Sequence, residues 1–178
     1  MSESLFLSLL VAFHATVAGL HSGGAWRGER GWRLSGGGPS PDAIPIPKYQ
    51  VPFINTQNGG STTLRNVPDV AGDADEDNFS CFNGGCFTGF GGTSYAAPIW
   101  AGFIALANQY AAVVGKPPVG FLNPALYRIG ADPDYASVFH DEVKGYNGRY
   151  RAGPGFDLVT GFGSPNGQGF IKALVSRK

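Results

Sequence analysis

The stretch at residues 91–109, GGTSYAAPIWAGFIALANQ, decides the fold of this sequence. Apolar side chains recur at helical spacing through it and as far as Val114, which predicts a long helix with one buried face. Pro98 is compatible with the first turn of that helix, where a missing backbone N–H costs nothing. A glycine and two prolines follow Val114 and end the helix. Ser94 therefore lies at a glycine turn that leads into the helix N-terminus.

The composition limits what kind of protein this is. The 178 residues fall within the usual size of one domain, and 43% of them are apolar, enough for one hydrophobic core. Lysine and arginine total 13 and aspartate and glutamate total 13, so the formal net charge is zero, which argues against a nucleic-acid-binding domain. The 28 glycines and 13 prolines indicate many turns, whereas 13% aromatic residues argue against disorder.

Short elements are predicted on either side of the long helix. Before it, we expect extended segments at residues 50–55 and 67–71, and the second of these is apolar enough to be a buried strand. After it, we expect a short helix at residues 123–129, a loop-rich segment at 137–167 and a terminal helix at 170–176.

Two cysteines, Cys81 and Cys86, flank the turn-forming sequence Phe-Asn-Gly-Gly. Two cysteines are too few for a disulfide scaffold, or for a zinc site built from about four nitrogen or sulfur ligands. The pair could close a tight loop as one local disulfide, or it could remain as two free thiols. The sequence leaves both states open.

The first 22 residues form a segment of their own. Residues 5–20 are an uncharged apolar run, shorter than the roughly 20 residues of a membrane span and interrupted by His14, so no stable span is expected. The run could be the core of a signal peptide, although the residues before it carry a negative charge instead of a positive one. Alternatively, it is a buried strand or helix of a domain that starts further upstream.

A serine at the start of a helix has two interpretations. The glycine turn would expose the hydroxyl of Ser94, and the helix dipole and free N–H groups would favour negative charge beside it, as a nucleophile requires. Serine is also a preferred helix cap, for reasons unconnected with catalysis. From the turn and the helix alone, Ser94 is a candidate for either role.

The stretch at residues 91–109 resembles the nucleophile segment of the sedolisins, the serine-carboxyl peptidases with a subtilisin-like fold. Its G-T-S-x-x-x-P pattern is shared with subtilisins, so the distinction depends on four other segments that resemble sedolisins in the family's order. These are SGGG at residues 35–38, RNVPDVAGDAD at 65–75, GFLNPALY at 120–127 and FHDEVKGYNGRYRAGPGFDLVTGFGSPNG at 139–167. We therefore interpret residues 23–178 as the C-terminal part of a sedolisin-like peptidase domain.

The resemblance implies an α/β protein with a partial subtilisin-like fold, in which helices flank a parallel sheet. It implies a serine-type endopeptidase, secreted or otherwise extracytoplasmic, that hydrolyses peptide or protein substrates at acid pH with Ser94 as nucleophile. The family's catalytic glutamate and aspartate and its oxyanion-hole aspartate lie upstream, and no matching Glu-x-x-x-Asp precedes Ser94. Glu29 aligns too late to be the base, and the acidic residues at positions 69–77 match another segment. The chain is therefore expected to lack the N-terminal half of the catalytic domain and to be inactive alone.

The resemblance also implies a calcium site. Asp141, Glu142, Gly153, Gly155 and Asp157 match the family's calcium ligands, with position 142 contributing its backbone carbonyl. Calcium prefers six to eight hard oxygen ligands, which carboxylates and backbone carbonyls supply. The carboxylate of Glu142 is a departure from the family's pattern. The competing interpretation is a solvated acidic turn followed by a Gly-Pro-Gly loop.

Two other functions remain open. The chain could be a non-catalytic remnant that binds peptides without cutting them, because a serine hydroxyl is a weak nucleophile without an adjacent base. It could also be a subtilisin-type peptidase with a histidine base such as His14 or His21, although nothing around them resembles the subtilisin histidine segment. His140 is expected to be an ordinary loop histidine.

Overall fold

The computed structural model describes residue 26 and residues 28–75 and 78–176. The predictions for residues 1–22, including a signal peptide, and the histidines His14 and His21 fall outside this part of the chain. The described residues form the strands β1 (Gly38–Pro39), β2 (Asn66–Val67), β3 (Asn78–Phe82), β4 (Gly85–Phe90), β5 (Phe139–His140) and β6 (Ser164–Pro165), and the helices α1 (Thr93–Val113), α2 (Asn123–Gly130) and α3 (Gly167–Ser176).

Helix α1 has 21 residues and begins earlier than the sequence predicted. Pro98 lies inside the helix, so its placement in the first turn was wrong. A proline inside a helix donates no backbone hydrogen bond, so the carbonyl of Ser94, four residues earlier, loses its usual partner. The helix contains no charged residue, and one face is buried, formed by Ala96, Trp100, Ala107 and Ala111. None of the described helices is long and apolar enough to cross a membrane.

The two shorter helices confirm the predicted ones, with small shifts at their ends. Helix α2 begins at residue 123 as predicted and ends at Gly130, with a proline in its first turn where the missing N–H is tolerated. Helix α3 begins three residues before the predicted position, at Gly167. It packs against both α1 and α2, so all three helices share one core.

The described strands pair in three separate two-stranded antiparallel sheets, β1 with β2, β3 with β4 and β5 with β6. The expected parallel sheet is not found among the described residues, where parallel pairing is limited to one bridge between Gly31 and Gly145. The described residues therefore combine three helices with small antiparallel sheets.

Two predicted strands were wrong in whole or in part. Residues 50–55 contain a short 3₁₀ helix at Val51–Phe53 instead of a strand. Pro52 lies in its first turn, where the fixed φ of proline suits a helical turn and its missing N–H is tolerated. Of residues 67–71, only Val67 belongs to a strand. Pro68 has no N–H to continue a strand ladder, although Val70 and Ala71 are fully buried as predicted.

Aromatic side chains form the centre of the core. The ring of Phe162 lies 5.1 Å from that of Phe53 and 5.0 Å from that of Tyr127, both edge-on. Phe170 of α3 contacts Trp100 of α1 edge-on at 5.1 Å. Edge-to-face pairs add to the stability that comes from burial alone. These contacts join the three helices to the C-terminal loop.

A buried ion pair lies beside this core. Arg65 and Asp69 form it, with side chains only 8% and 0% exposed. The carboxylate of Asp69 also accepts hydrogen bonds from Asn123 Nδ2 at 2.8 Å and from the hydroxyl of Tyr127 at 2.6 Å. Gln50 Nε2 in turn donates to the Tyr127 oxygen at 2.5 Å. Burial raises the pKa of Asp69, and its ion pair and hydrogen bonds oppose this rise. Through these partners Asp69 links α2 to the segment that precedes the hairpin.

The hairpin of β3 and β4 stands directly before α1. Its turn residues, Asn83 and Gly84, have positive φ angles of 51° and 76°, as a two-residue hairpin turn requires. Cys81 and Cys86 face each other across the strands with Cα atoms 4.0 Å apart and form a disulfide. Of the two states that the sequence left open, the structure contains the local disulfide.

Candidate functional site

Ser94 is the second residue of α1, and it is exposed. The cap position of the helix is Gly92, with φ 90° and ψ 158°, and no side chain caps the helix. The helix-cap interpretation of Ser94 therefore has no support in the structure. Its hydroxyl makes no hydrogen bond to any residue that the structure describes. The backbone N–H groups of the first turn lack helical partners, so negative charge is favoured beside Ser94.

The turn before Ser94 is held by the segment that precedes the hairpin. The N–H of Gly92 donates to the carbonyl of Ala74 at 2.6 Å. A Cβ on Gly91 would lie 2.8 Å from the backbone of Asp75, so only a glycine permits this approach. The two glycines of the GGTS sequence thus allow the start of α1 to pack closely against residues 74–75.

Glu29 and His140 are side chains that can accept a proton, and both have partners other than Ser94. Glu29 accepts a hydrogen bond from the hydroxyl of Ser164 at 2.5 Å. His140 stacks on Trp26 with ring centroids 4.3 Å apart, and burial lowers the pKa of His140 below its ordinary value. Within the described part of the chain, the nucleophile candidate thus stands without a partner that could take its proton.

Asp141 and Asp157, two of the predicted calcium ligands, both hold the loop that contains Gly153 and Gly155. We call the group of carboxylates around this loop the acidic cluster. The N–H of Gly155 donates to Asp141 Oδ2 and the N–H of Gly153 donates to Asp157 Oδ2, both at 2.9 Å. Asp157 Oδ1 accepts two further backbone bonds of 2.7 Å, from Val159 and Thr160. The structure therefore brings together the residue positions that the sequence predicted for this site.

Glu142 also belongs to the acidic cluster, and its side chain is buried. Burial, a hydrogen bond with Glu29 and the charges of Asp141 and Asp157 raise the pKa of Glu142 to about 9. Burial also raises the pKa of Asp157 to about 6, although backbone hydrogen bonds oppose it. Glu29, the hydrogen-bond partner of Glu142, was not predicted as a member of this cluster, because it lies far away along the chain and no local pattern connects it to residue 142.

The acidic cluster has several properties of a cation site. Oδ1 of Asp141 and Oε1 of Glu142 are buried without hydrogen-bond partners. Carboxylates that raise one another's pKa would be stabilised by a positive charge among them. Side chains alone do not complete the site, because no three His, Cys, Asp or Glu side chains among the described residues are arranged to hold a metal. The two glycines contact the carboxylates through N–H groups, so carbonyl ligation at these positions stays a prediction.

The sequence of this chain is similar to those of several peptidases. It is 41% identical to kumamolisin of Bacillus sp. (strain MN-32) over 152 residues, covering 79% of this chain and 25% of kumamolisin. It is 33% identical to tripeptidyl-peptidase 1 of Canis lupus familiaris over 159 residues, covering 80% of this chain and 28% of that protein. The chain thus spans about a quarter of the length of these relatives. No family model matches it.

The fold is similar to that of Pseudomonas sedolisin, a serine-carboxyl proteinase solved in complex with two molecules of pseudo-iodotyrostatin. The TM-score is 0.74 with 27% sequence identity, covering 92% of this chain and 45% of the sedolisin chain. This likeness confirms an α/β fold of the sedolisin type. On the sequence and structural likenesses together, the chain belongs to the sedolisin family.

Proposed function

We propose that this chain is the C-terminal part of a serine-type endopeptidase domain in which Ser94 is the nucleophile. The observation that carries the proposal is the exposed, unpartnered hydroxyl of Ser94 at the N-terminus of α1, in a chain of the sedolisin family. The substrates are peptides or proteins. The family resemblance favours activity at acid pH and a secreted or other extracytoplasmic location.

The proposed chemistry is acyl transfer through Ser94. Its oxygen attacks the carbonyl carbon of the peptide bond while a base takes the hydroxyl proton. Backbone N–H groups at the start of α1 favour the negative charge that develops on the carbonyl oxygen. The proton then passes to the leaving amine, the C–N bond breaks, and water releases the acyl group from Ser94 by the same route. The described residues supply the nucleophile and the helix end.

We propose that the base, its supporting aspartate and the oxyanion-hole aspartate come from the N-terminal half of a sedolisin domain. The chain corresponds to 45% of the sedolisin chain, which leaves room for such a half in the complete fold. The uncharged helix α1 exposes apolar side chains, with Ile99 37%, Leu106 51% and Val113 79% exposed. An exposed apolar surface of this kind is typical of a face that another part of an assembly covers.

We further propose that the acidic cluster binds calcium. Asp141 and Asp157 would contribute carboxylates, and Glu142, Gly153 and Gly155 would contribute backbone carbonyls. The buried, unpartnered Oδ1 of Asp141 supports this assignment. When bound, the ion supplies positive charge that offsets the repulsion among the carboxylates. Its role would be to stabilise the loop between β5 and β6 and not to take part in peptide hydrolysis.

A non-catalytic, peptide-binding role is the second candidate. It is favoured by one observation, that no base pairs with Ser94 in the part of the chain that the structure describes. A histidine-dependent mechanism of the subtilisin type has less support, because nothing in the sequence around His14 or His21 resembles the subtilisin histidine segment.

Proteolysis with and without the N-terminal half of a sedolisin domain tests the proposal. The chain is incubated with a denatured protein at acid and neutral pH, alone and after refolding with the separate half. We expect cleavage only in the second case and only at acid pH. Ser94→Ala should abolish it, whereas Ser137→Ala, which changes an exposed serine with only a local hydrogen bond, should leave it intact.

Each outcome has a clear meaning. Cleavage by the chain alone that disappears in Ser94→Ala would show that a base lies within these residues. Cleavage that survives Ser94→Ala would remove Ser94 as the nucleophile. If the two halves form a stable complex that does not cleave, the non-catalytic alternative is favoured.

A further inference from the structure

A cavity of about 460 Å³ lies apart from the acidic cluster. Its side chains include three arginines, two aromatic residues and an aspartate, namely Arg30, Arg33, Arg151, Trp32, Tyr146 and Asp75. Three guanidinium groups against one carboxylate give these side chains a net charge of +2. The cavity is therefore basic, in a chain whose formal net charge is zero.

The arginines of the cavity are available to a ligand. Arg65 forms a buried ion pair with Asp69, but Arg30, Arg33 and Arg151 form no ion pair with a carboxylate among the described residues. A guanidinium group binds a carboxylate through paired, charge-assisted hydrogen bonds. Three guanidinium groups around one cavity, without a carboxylate ion-pair partner in the part of the chain that the structure describes, therefore favour an anionic ligand.

Close contact between two backbone segments builds the cavity. The N–H of Gly31 donates to the carbonyl of Lys144 at 2.7 Å, and Gly31 forms a parallel bridge with Gly145. A Cβ on Gly145 would lie 2.5 Å from the backbone of Gly31, so a larger residue would push the segments apart. This contact places the first two arginines of the cavity near Arg151, more than a hundred residues later in the chain.

The cavity adjoins the turn that carries the nucleophile candidate. The backbone of Asp75, a residue of the cavity wall, lies 2.8 Å from the position of a Cβ on Gly91. Trp32, also in the wall, packs against the small cluster formed by Ala74 and by Ala96 of α1. Gly91 precedes Ser94 by three residues, a chain length of at most about 11 Å. Because an extended peptide rises about 3.3 Å per residue, one short peptide can reach both Ser94 and the cavity.

We propose that this cavity is a subsite that binds the carboxylate of a peptide a few residues from the bond presented to Ser94. The apolar faces of Trp32 and Tyr146 would pack against the stem of the bound side chain, and the arginines would hold its carboxylate. The domain therefore prefers acidic peptides. This inference rests on the proposed function, because a subsite is part of a peptidase site. Its test measures peptide binding and does not require cleavage.

Calorimetric titration of the full chain with short peptides at pH 7 and low salt tests the subsite. One capped peptide contains a single glutamate, its match contains glutamine in that place, and a third contains glutamine and a free C-terminal carboxylate. We expect the glutamate peptide to bind about tenfold more tightly than the capped glutamine peptide, the effect of one charged hydrogen bond. Arg33→Gln and Arg151→Gln should each remove most of this difference. Arg128→Gln, in the last turn of α2 and outside the cavity, should leave it unchanged.

The outcomes separate this proposal from the proposed function. Equal binding of all three peptides would overturn the subsite. So would a loss of the affinity difference in Arg128→Gln that equals the loss in the two cavity variants. Tight binding of the third peptide alone would support the carboxylate site and assign it to a peptide C-terminus. An unchanged melting temperature verifies that a variant folds. Where an Arg→Gln variant does not fold, the Arg→Lys variant, which keeps the charge, is measured in its place. A failure of proteolysis with the N-terminal half would contradict the proposed function and leave these binding results standing.

Discussion

Asp69 has more polar partners than its place in the apolar core would suggest. It pairs with Arg65 and accepts hydrogen bonds from Asn123 and Tyr127, all of them buried. Removing one partner of such a pair leaves the other charge buried and uncompensated, which typically costs about 3–5 kcal/mol. We therefore expect Asp69→Ala to lower the free energy of unfolding by that order, as measured by urea denaturation.

Tyr127→Phe separates the hydrogen bond from the ion pair. It removes only the hydroxyl that donates to Asp69 and accepts from Gln50, so we expect a loss of about 1–3 kcal/mol. The same denaturation experiment measures it. A loss below 1 kcal/mol in Asp69→Ala, or a larger loss in Tyr127→Phe than in Asp69→Ala, would show that the network is not centred on the carboxylate.

The calcium proposal also concerns single residues. Calcium should raise the melting temperature of the chain, because a ligand that binds the native state stabilises it, by about 2.7 kcal/mol at a hundredfold excess over Kd. Asp157→Asn should remove this effect, since it replaces a buried carboxylate with a neutral amide. Asp134→Asn, a change outside the acidic cluster, is the control. Equal melting temperatures in calcium and in chelator for the unmodified chain would refute the site.

At this scale the sequence predicted the residues that lie within distinctive local patterns. Ser94 could be proposed as a nucleophile because GGTS and the helix that follows are contiguous, and its role stays a prediction. Glu29 and the arginines of the basic cavity could not, because their neighbours are set by contacts between distant segments, such as the bridge from Gly31 to Gly145. Neither a charge run nor a spacing pattern connects residues 30 and 151.

Helices were easier to predict than strands at the scale of elements. Helix α1 was expected from its apolar periodicity, and only its start was misplaced, because Pro98 is tolerated inside the helix. Strands β1, β2, β5 and β6 are two residues long each, too short to show a period of two. Their pairing is decided by long-range contacts that the sequence pattern does not reveal.

The loop between β5 and β6 should make the stability of the metal-free chain depend on pH. The pKa of Glu142 is raised from 4.5 to about 9 and that of Asp157 from 3.8 to about 6, in both cases chiefly by burial. The folded chain therefore binds more protons than the unfolded chain between these limits, so its stability falls as the pH rises from about 4 towards 9. Melting temperatures measured in chelator across this range should decrease.

Glu142→Gln provides the matched control for this pH dependence. The amide keeps nearly the same shape but does not titrate, so most of the decrease above pH 6 should disappear. Calcium should also reduce the decrease at neutral pH, because its charge offsets the carboxylates. A melting temperature that rises from pH 4 to pH 8 in chelator would contradict the assignment of these buried acids.

At the scale of the whole molecule, the exposed face of α1 should bind the N-terminal half of the domain. Leu106→Asp places a charge on that face, so we expect it to weaken association with the separate half by at least about tenfold. Leu34→Asp makes the same change at an exposed leucine outside α1 and should have no effect. Analytical ultracentrifugation of the mixtures measures both. Equal association of the two variants would show that α1 is not the docking face.

We propose that Ser94 is the nucleophile of a peptidase domain that this chain forms together with the N-terminal half of a sedolisin domain. Reaction with a fluorophosphonate, followed by peptide mass spectrometry, tests it most directly, because such a reagent modifies only an activated serine. We expect one adduct on Ser94 in the reconstituted domain and none in the chain alone. An adduct on another serine, or a reconstituted domain that cleaves peptides while Ser94 stays unmodified, would contradict it.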